Sequence, residues 1–373
     1  MQRVRTWPFR FEIIDGLRGL AALAVVLTHL RVLDASVGHF AVMLFFIISG
    51  YCIAASVETC RHNGVSFRSF MWRRLHRIYP PYFFAIVFFV VTRLAKAASG
   101  GHNDLVRPWL DWVQNLTLTQ WVSLPWHPVA DAPQNPRLLV AAFWSLNYED
   151  QFYLVMAVAL LLAVRRRVPA WTTVLSLAAV GLFWNCLRPG GWITGLFIEY
   201  WVHFALGAML FYALCLCGSR LPRVLFVAAV CALGGWCLSR ILPWEPGLLL
   251  QQRAYAELAA ACGFTLLLYC FRPISNALSR LVLWRPVAAL GTISYSLYLV
   301  NQFNLKVVES TAGRLAGGAW EPLRVAIMVA LQVSIASVFW YLCERPFLNG
   351  SKRVTRSTEV RLHPPTSTVL PRS

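Results

Sequence analysis

Residues 14–33 read IDGLRGLAALAVVLTHLRVL, and this stretch decides how the rest of the chain is interpreted. It has the ~20 residues that an α-helix needs to cross the hydrocarbon core of a membrane. Yet it contains Asp15, Arg18 and His29. Because charged side chains are costly at that depth, ionisable residues in a membrane helix indicate a functional site. The alternative is a membrane anchor whose Arg snorkels to the surface and whose His bonds a neighbouring helix.

Arg18 and His29 are eleven residues apart in this stretch. At 100° and ~1.5 Å per residue, the two side chains share one helix face, with roughly 16 Å between them along the axis. Asp15 lies three residues before Arg18 and can pair with it on the same side. One helix face therefore presents a cation near one membrane surface and an imidazole deeper in the membrane.

The composition is that of a membrane protein. Of the 373 residues, 58% are hydrophobic and 13% are charged, and the mean hydropathy is +0.57. Soluble domains carry about 25% charged residues. The net charge of +18 comes from short basic clusters between apolar runs, which excludes a nucleic-acid partner. The ten cysteines show no paired zinc-ligand spacing, so we predict neither a metal site nor a disulfide framework.

The sequence predicts an all-α, polytopic protein of the cell membrane with about ten transmembrane helices. Each predicted span approaches the ~20 residues needed to cross. Of the 34 Lys and Arg residues, 23 fall on the side of the two termini and 11 on the other side. The positive-inside rule therefore places both termini in the cytoplasm. The predicted spans are 14–35, 39–57, 78–95, 142–164, 169–187, 193–216, 223–242, 252–271, 286–306 and 322–343.

Two acids open the fourth span, whose sequence is WSLNYEDQFYLV. Glu149 and Asp150 lie one to two turns inside it and need partners or water. Counting from opposite ends of their helices puts Glu149 and His29 at a similar depth. An acid beside an imidazole can orient it as a general base. The alternative is a structural hydrogen bond between two helices.

Basic and small polar residues supply further candidates. Arg73, Arg74 and Arg77 follow the second span and are suited to phosphates, although positive-inside anchoring would also place arginines there. Ser49-Gly50 permits close helix packing, with a catalytic serine as the alternative. Glu344 precedes Arg345 at the end of the tenth span, which predicts an ion pair. The positions that we expect to line a cavity are Asp15, Ser49, Tyr148, Tyr298 and Asn301.

Six fragments occur in an order that resembles the acyltransferase 3 family, integral-membrane O-acyltransferases that modify cell-surface sugars and small acceptors. The resemblance covers about residues 10–347, with a membrane domain over 10–346 and a cytosolic, disordered tail over 347–373. The fragments are IDGLRGLAALAVVLTHL, FFIISGY, FMWRRLHRIYPPY, FWSLNYEDQFYLV, ISYSLYL and ERPF.

The resemblance implies roles for several residues. His29 matches the family's essential histidine and Arg18 its companion, while Glu149 matches the acid of a WSL-x-x-E pattern. Arg74 and Arg77 match a functional motif. Many members carry a histidine where this chain has Asn301, so this chain either does without that group or binds its acceptor differently.

The resemblance also implies a reaction, in which an acyl group, expected to be acetyl, passes from acyl-CoA on the cytosolic side to a hydroxyl. The acceptor is a sugar, a polysaccharide or a lipid-linked intermediate, and no cofactor is bound. His29 can take the hydroxyl proton or carry the acyl group itself. Arg18 can orient the donor or stabilise the oxyanion. The sequence leaves these choices open.

Two other classes of protein would also bury polar residues in apolar helices. A transporter predicts repeat symmetry and broken helices near the midplane, and no repeat is evident in the sequence. A structural membrane component would leave Arg18, His29 and Glu149 without a role. Because the chain ends soon after the tenth span, we expect transfer to be completed within the membrane domain, without a periplasmic hydrolase-like domain.

Overall fold

The structure is a computed structural model that describes residues 13–100, 105–123, 138–187, 195–216, 219–241, 249–281, 284–317 and 320–348. Throughout these ranges the chain forms helices and no strands, which confirms the all-α prediction. Residues 349–373, nearly all of the predicted tail, lie outside them.

Fourteen α-helices occur in the described residues, and short 3₁₀ and π turns join or extend some of them. They are α1 Ile13–His29, α2 Ala35–His62, α3 Phe67–Ala98, α4 Trp109–Thr117, α5 Trp144–Arg165, α6 Ala170–Leu187, α7 Trp201–Phe211, α8 Arg220–Ile241, α9 Leu249–Phe271, α10 Ser275–Ser279, α11 Trp284–Thr292, α12 Ser294–Val300, α13 Leu305–Ala316 and α14 Glu321–Phe339.

Several of these helices mark the chain as a membrane protein. Five are long and apolar enough to cross a membrane: α2, α3, α8, α9 and α14 with its continuation to Leu348. The shorter α6 and α7 are also apolar. The structure therefore does not confirm the predicted number of ten spans.

The first predicted span, 14–35, is shortened in the structure to α1. Arg31 has a φ of 59°, in the left-handed region that a helix cannot continue through. His29 is consequently the last residue of α1 rather than lying six residues inside the span. Asp34 then caps α2 by accepting a hydrogen bond from the backbone N–H of Ser36 at 2.9 Å.

The ninth predicted span, 286–306, is broken into α11, α12 and the start of α13. The side-chain amide of Asn301 donates to the carbonyls of Leu297 and Tyr298, at 3.0 and 2.8 Å. Gln332 of α14 donates to the backbone oxygen of Asn301 and to Oδ1 of Asn304, both at 3.0 Å. Three of these four acceptors are backbone carbonyls, which an unbroken helix would have paired internally.

α2 is the central helix and packs against α1, α5, α7 and α9. Its contact with α7 depends on two glycines. A Cβ at Gly50 would lie 2.0 Å from the backbone oxygen of Phe204, and one at Gly207 would lie 1.8 Å from that of Ile47. Small residues of this kind let membrane helices approach closely. The two backbones are therefore nearly in contact.

We expect Gly207→Ala to destabilise the protein by about 1–3 kcal/mol, because the new methyl group forces α2 and α7 apart. Gly235→Ala on α8 is the matched control, since a Cβ there meets no atom within 4 Å. Thermal unfolding in detergent measures both. Equal losses of Tm in the two variants would contradict the close α2–α7 packing.

Candidate functional site

A pocket of ≈ 60 Å³ lies between α1, α2, α3, α5 and α12. It brings together polar side chains that the sequence separates by up to 280 positions, between Arg18 and Tyr298. Phe45 and Phe46 form an apolar part of its wall. The polar lining consists of Arg18, Ser49, Arg77, Ser145, Glu149, Tyr153, Ser294, Tyr295 and Tyr298.

Glu149 is held in the pocket by two hydroxyl groups. Ser49 Oγ donates to its Oε1 at 3.1 Å, and the hydroxyl of Tyr153 donates to the same oxygen. Tyr153 follows Glu149 by one turn of α5, which places both on one helix face. The carboxylate is therefore fixed in orientation by neighbours on α2 and on its own helix.

Two arginines bring positive charge to this carboxylate. Arg18 comes from α1 and Arg77 from α3, and their charges interact with each other and with Glu149. Two guanidinium groups that line one pocket repel each other, so they favour additional negative charge between them. The pocket is accordingly suited to an anionic ligand or to a polarised carbonyl group.

The three arginines predicted to bind a donor separate into two sets. Arg77 lines the pocket, and Arg74 lies over the rings of Phe70 and Tyr153, 5.5 and 5.7 Å from their centroids. Arg73 instead donates to Ser69 and Cys60. These two bonds direct the Arg73 side chain to Ser69 and Cys60, and Arg73 is not among the residues that line the pocket.

His29 bonds to Asn301 through its Nδ1 and the amide Oδ1. The amide nitrogen of Asn301 donates to the backbone of α12, so its oxygen is the atom that faces the imidazole. Because this oxygen only accepts hydrogen bonds, the network assigns the ring proton to Nδ1. Nε2 then carries a lone pair, as a general base or nucleophile requires.

The predicted pairing of His29 with Glu149 is wrong, since each has other hydrogen-bond partners. His29 ends α1, and the helix that meets it there is α12 rather than α5. The two sites are nevertheless neighbours. The Asn301 amide bonds the carbonyl of Tyr298, whose side chain lines the pocket.

Ser49 and Tyr298 line the pocket, whereas the other three residues predicted to line a cavity do not. Tyr148 precedes Glu149 by about 100° of helical turn and donates to Glu199 Oε2 at 2.5 Å. Asn301 holds His29. Asp15 lies outside the lining, and its charge interacts with that of Arg18.

Glu344 is a candidate that sequence reasoning missed. The predicted ion pair with Arg345 is wrong, because Arg345 lies over the rings of Trp340 and Tyr341. Glu344 is buried, accepts a 2.5 Å hydrogen bond from Ser296 and interacts electrostatically with Arg77 and Arg18. It ends a π-helical segment, Trp340–Glu344, of a kind that often occurs at functional sites. The feature of the sequence that could have identified Glu344 is its position as an acid directly after the apolar tenth span.

An apolar helical bundle with a pocket of arginines and carboxylates is compatible with several classes of membrane protein, and similarity to known proteins distinguishes among them. Residues 11–342 match the acyltransferase domain that defines the acyltransferase 3 family. The chain belongs to this family, and the resemblance inferred from its motifs is confirmed. The break in the ninth segment is a feature that the transporter alternative predicted, but the family is one of acyltransferases.

Two relatives illustrate the family. The Bacillus subtilis (strain 168) protein named "Putative peptidoglycan O-acetyltransferase YrhL" is 27% identical over 372 residues, which cover 91% of this chain and 56% of that protein. Peptidoglycan O-acetyltransferase OatA of Listeria monocytogenes is 29% identical over 163 residues, 41% of this chain and 24% of the relative. The chain thus spans about half the length of the Bacillus relative. No solved structure is significantly similar to this chain.

Proposed function

We propose that this chain is a membrane O-acetyltransferase that moves an acetyl group from acyl-CoA to a hydroxyl of a sugar polymer of the peptidoglycan class. The observation that carries the proposal is the juxtaposition of two sites. Arg18 and Arg77 line one pocket, and His29 bonds Asn301, which lies one helical turn beyond Tyr298 in the wall of that pocket. The names of the relatives suggest the acceptor.

The distance between these sites favours an extended donor. Arg18 and His29 are roughly 16 Å apart along α1, given a rise of ~1.5 Å per residue. Acyl-CoA carries anionic phosphates at one end and its thioester at the end of a long flexible arm. With its phosphates at Arg77 and Arg18, and Arg74 beside them, the arm would lead the thioester along α12 toward His29. This arrangement assigns Arg18 to donor orientation rather than to the oxyanion.

The reaction then requires a base that takes the proton of the acceptor hydroxyl close to the thioester. Nε2 of His29 takes the proton of the acceptor hydroxyl while its oxygen attacks the thioester carbonyl carbon. The C–S bond breaks, an ester forms, and the departing CoA sulfur receives the proton from His29. Asn301 is a positioning residue, because its Oδ1 holds the ring proton on Nδ1. Transfer of the acyl group first to Nε2 and then to the hydroxyl would use the same geometry.

The predicted orientation suits an acceptor outside the cell. With both termini in the cytoplasm, Arg18 lies near the start of α1 on the inner side and His29 at its outer end. A donor that enters from the cytosol would deliver its acyl group toward the outer surface. Acceptor hydroxyls would reach His29 from there.

Arg77→Ala should weaken binding of acetyl-CoA about 10- to 100-fold, because a charge-assisted hydrogen bond contributes about 1.5–3 kcal/mol. Arg73→Ala is the matched control, since Arg73 bonds Ser69 and Cys60 instead. Calorimetric titration of purified protein measures both affinities. Equal affinities in the two variants would contradict a role for Arg77 in donor binding and would leave it only the role of a positive-inside anchor.

His29→Ala should lower the rate of acetyl transfer by about 10²–10⁴-fold, the usual contribution of general acid–base catalysis, while acetyl-CoA still binds. Asn301→Leu should reduce kcat because it frees the imidazole, and Asn301→Asp should restore most of it because a carboxylate oxygen accepts the same hydrogen bond. His62→Ala, at the exposed end of α2, is the control. Substantial activity in His29→Ala at normal abundance would refute the mechanism.

A further inference from the structure

A second and larger cavity, of ≈ 1190 Å³, lies along α6, α7 and α8. It shares no lining residue with the pocket that contains Arg18 and Arg77. Pockets for drug-sized ligands span ~300–1,000 Å³, so this groove has room for something larger. Its wall is predominantly apolar and includes Leu175, Leu182, Leu206, Leu225, Phe226 and Leu233.

The length of the groove matches one leaflet of a membrane. Its lining on α6 begins at Pro169, just before the helix, and ends at Leu182. Thirteen residues at ~1.5 Å each give about 20 Å. Half of a ~30 Å hydrocarbon core is about 15 Å. An acyl chain of one leaflet could therefore lie along the whole wall.

Every charged residue of the lining lies at one end of this groove: Glu58, Arg61 and Arg167. Glu58 is already neutralised, since Arg61 Nε lies 2.7 Å from one of its oxygens and the Tyr212 hydroxyl donates to the other at 3.3 Å. Arg167 is exposed and follows Arg165 and Arg166. This end therefore carries an excess of positive charge, which complements a phosphate.

We propose that the groove is a binding site for an anionic phospholipid. Its acyl chains lie along α6, α7 and α8, and its phosphate lies beside Arg61 and Arg167. A free anion would leave the apolar wall without a partner. A neutral lipid would not complement the positive charge at the basic end. This site is separate from the proposed transfer reaction and does not depend on it.

Native mass spectrometry of the full chain in detergent tests the site with dioleoyl phosphatidylglycerol and, for comparison, dioleoyl phosphatidylcholine. Ala229→Trp fills the groove, and Ala228→Trp is the matched control, because Ala228 is exposed on the same helix but outside the lining. We expect one tightly retained phosphatidylglycerol in the wild type and in Ala228→Trp, and its loss in Ala229→Trp. Equal retention in the two variants would overturn the proposal.

A charge variant keeps the test decisive if Ala229→Trp fails to fold. Arg167→Gln should weaken phosphatidylglycerol binding about fivefold, since a basic side chain near an anionic lipid surface contributes about 1 kcal/mol. Arg68→Gln, exposed at the start of α3, should have no effect. Equal retention of phosphatidylcholine, competition by glycerol phosphate alone, or preferential binding of a polyprenyl phosphate would each refute the phospholipid assignment.

Discussion

The cost of burying ionised groups within an apolar helical bundle constrains the whole arrangement of this protein. Arg18, Arg77 and Glu149 come from α1, α3 and α5 and line one pocket. Glu344, in the π-helical segment after α14, interacts electrostatically with both arginines. An isolated charge at bilayer depth would be expensive, whereas opposite charges that share hydrogen-bond donors offset much of that cost. The four segments must therefore converge, and the pocket is where they do so. The two arginines of this pocket are the basis of the donor site that we propose.

Two irregularities in the helices produce the second half of the site. Arg31, two residues after His29, has a left-handed φ that ends α1, and Asn301 caps the end of α12. The two helix ends meet through the His29–Asn301 hydrogen bond, while Gln332 supports the break from α14. If either helix continued without a break, the side chains of His29 and Asn301 would not meet at the two helix ends. Because the break is built from side-chain amides, its geometry is specified rather than left to a flexible loop.

The sequence predicted the helices and much of the pocket but not the partners of its residues. Polar residues within apolar stretches singled out Arg18, Ser49 and Glu149, and a basic cluster singled out Arg77. The structure places all four in the lining of one pocket. Helical periodicity gives the face of a residue, but it does not say which helix lies opposite. The pairing of His29 with Asn301 depends on the left-handed φ of Arg31. Glycine is the residue that usually adopts such a φ, so an arginine at this position gives no indication of it in the sequence.

The most direct test of this account is an experimental structure with an unreactive thioether analogue of acetyl-CoA. We expect its phosphates to contact Arg77 and Arg18, and its acyl end to lie beside Nε2 of His29. The Nδ1 contact with Asn301 should persist in the complex. An analogue bound with its acyl end beside Glu149 and far from His29, or bound outside the pocket altogether, would contradict the account.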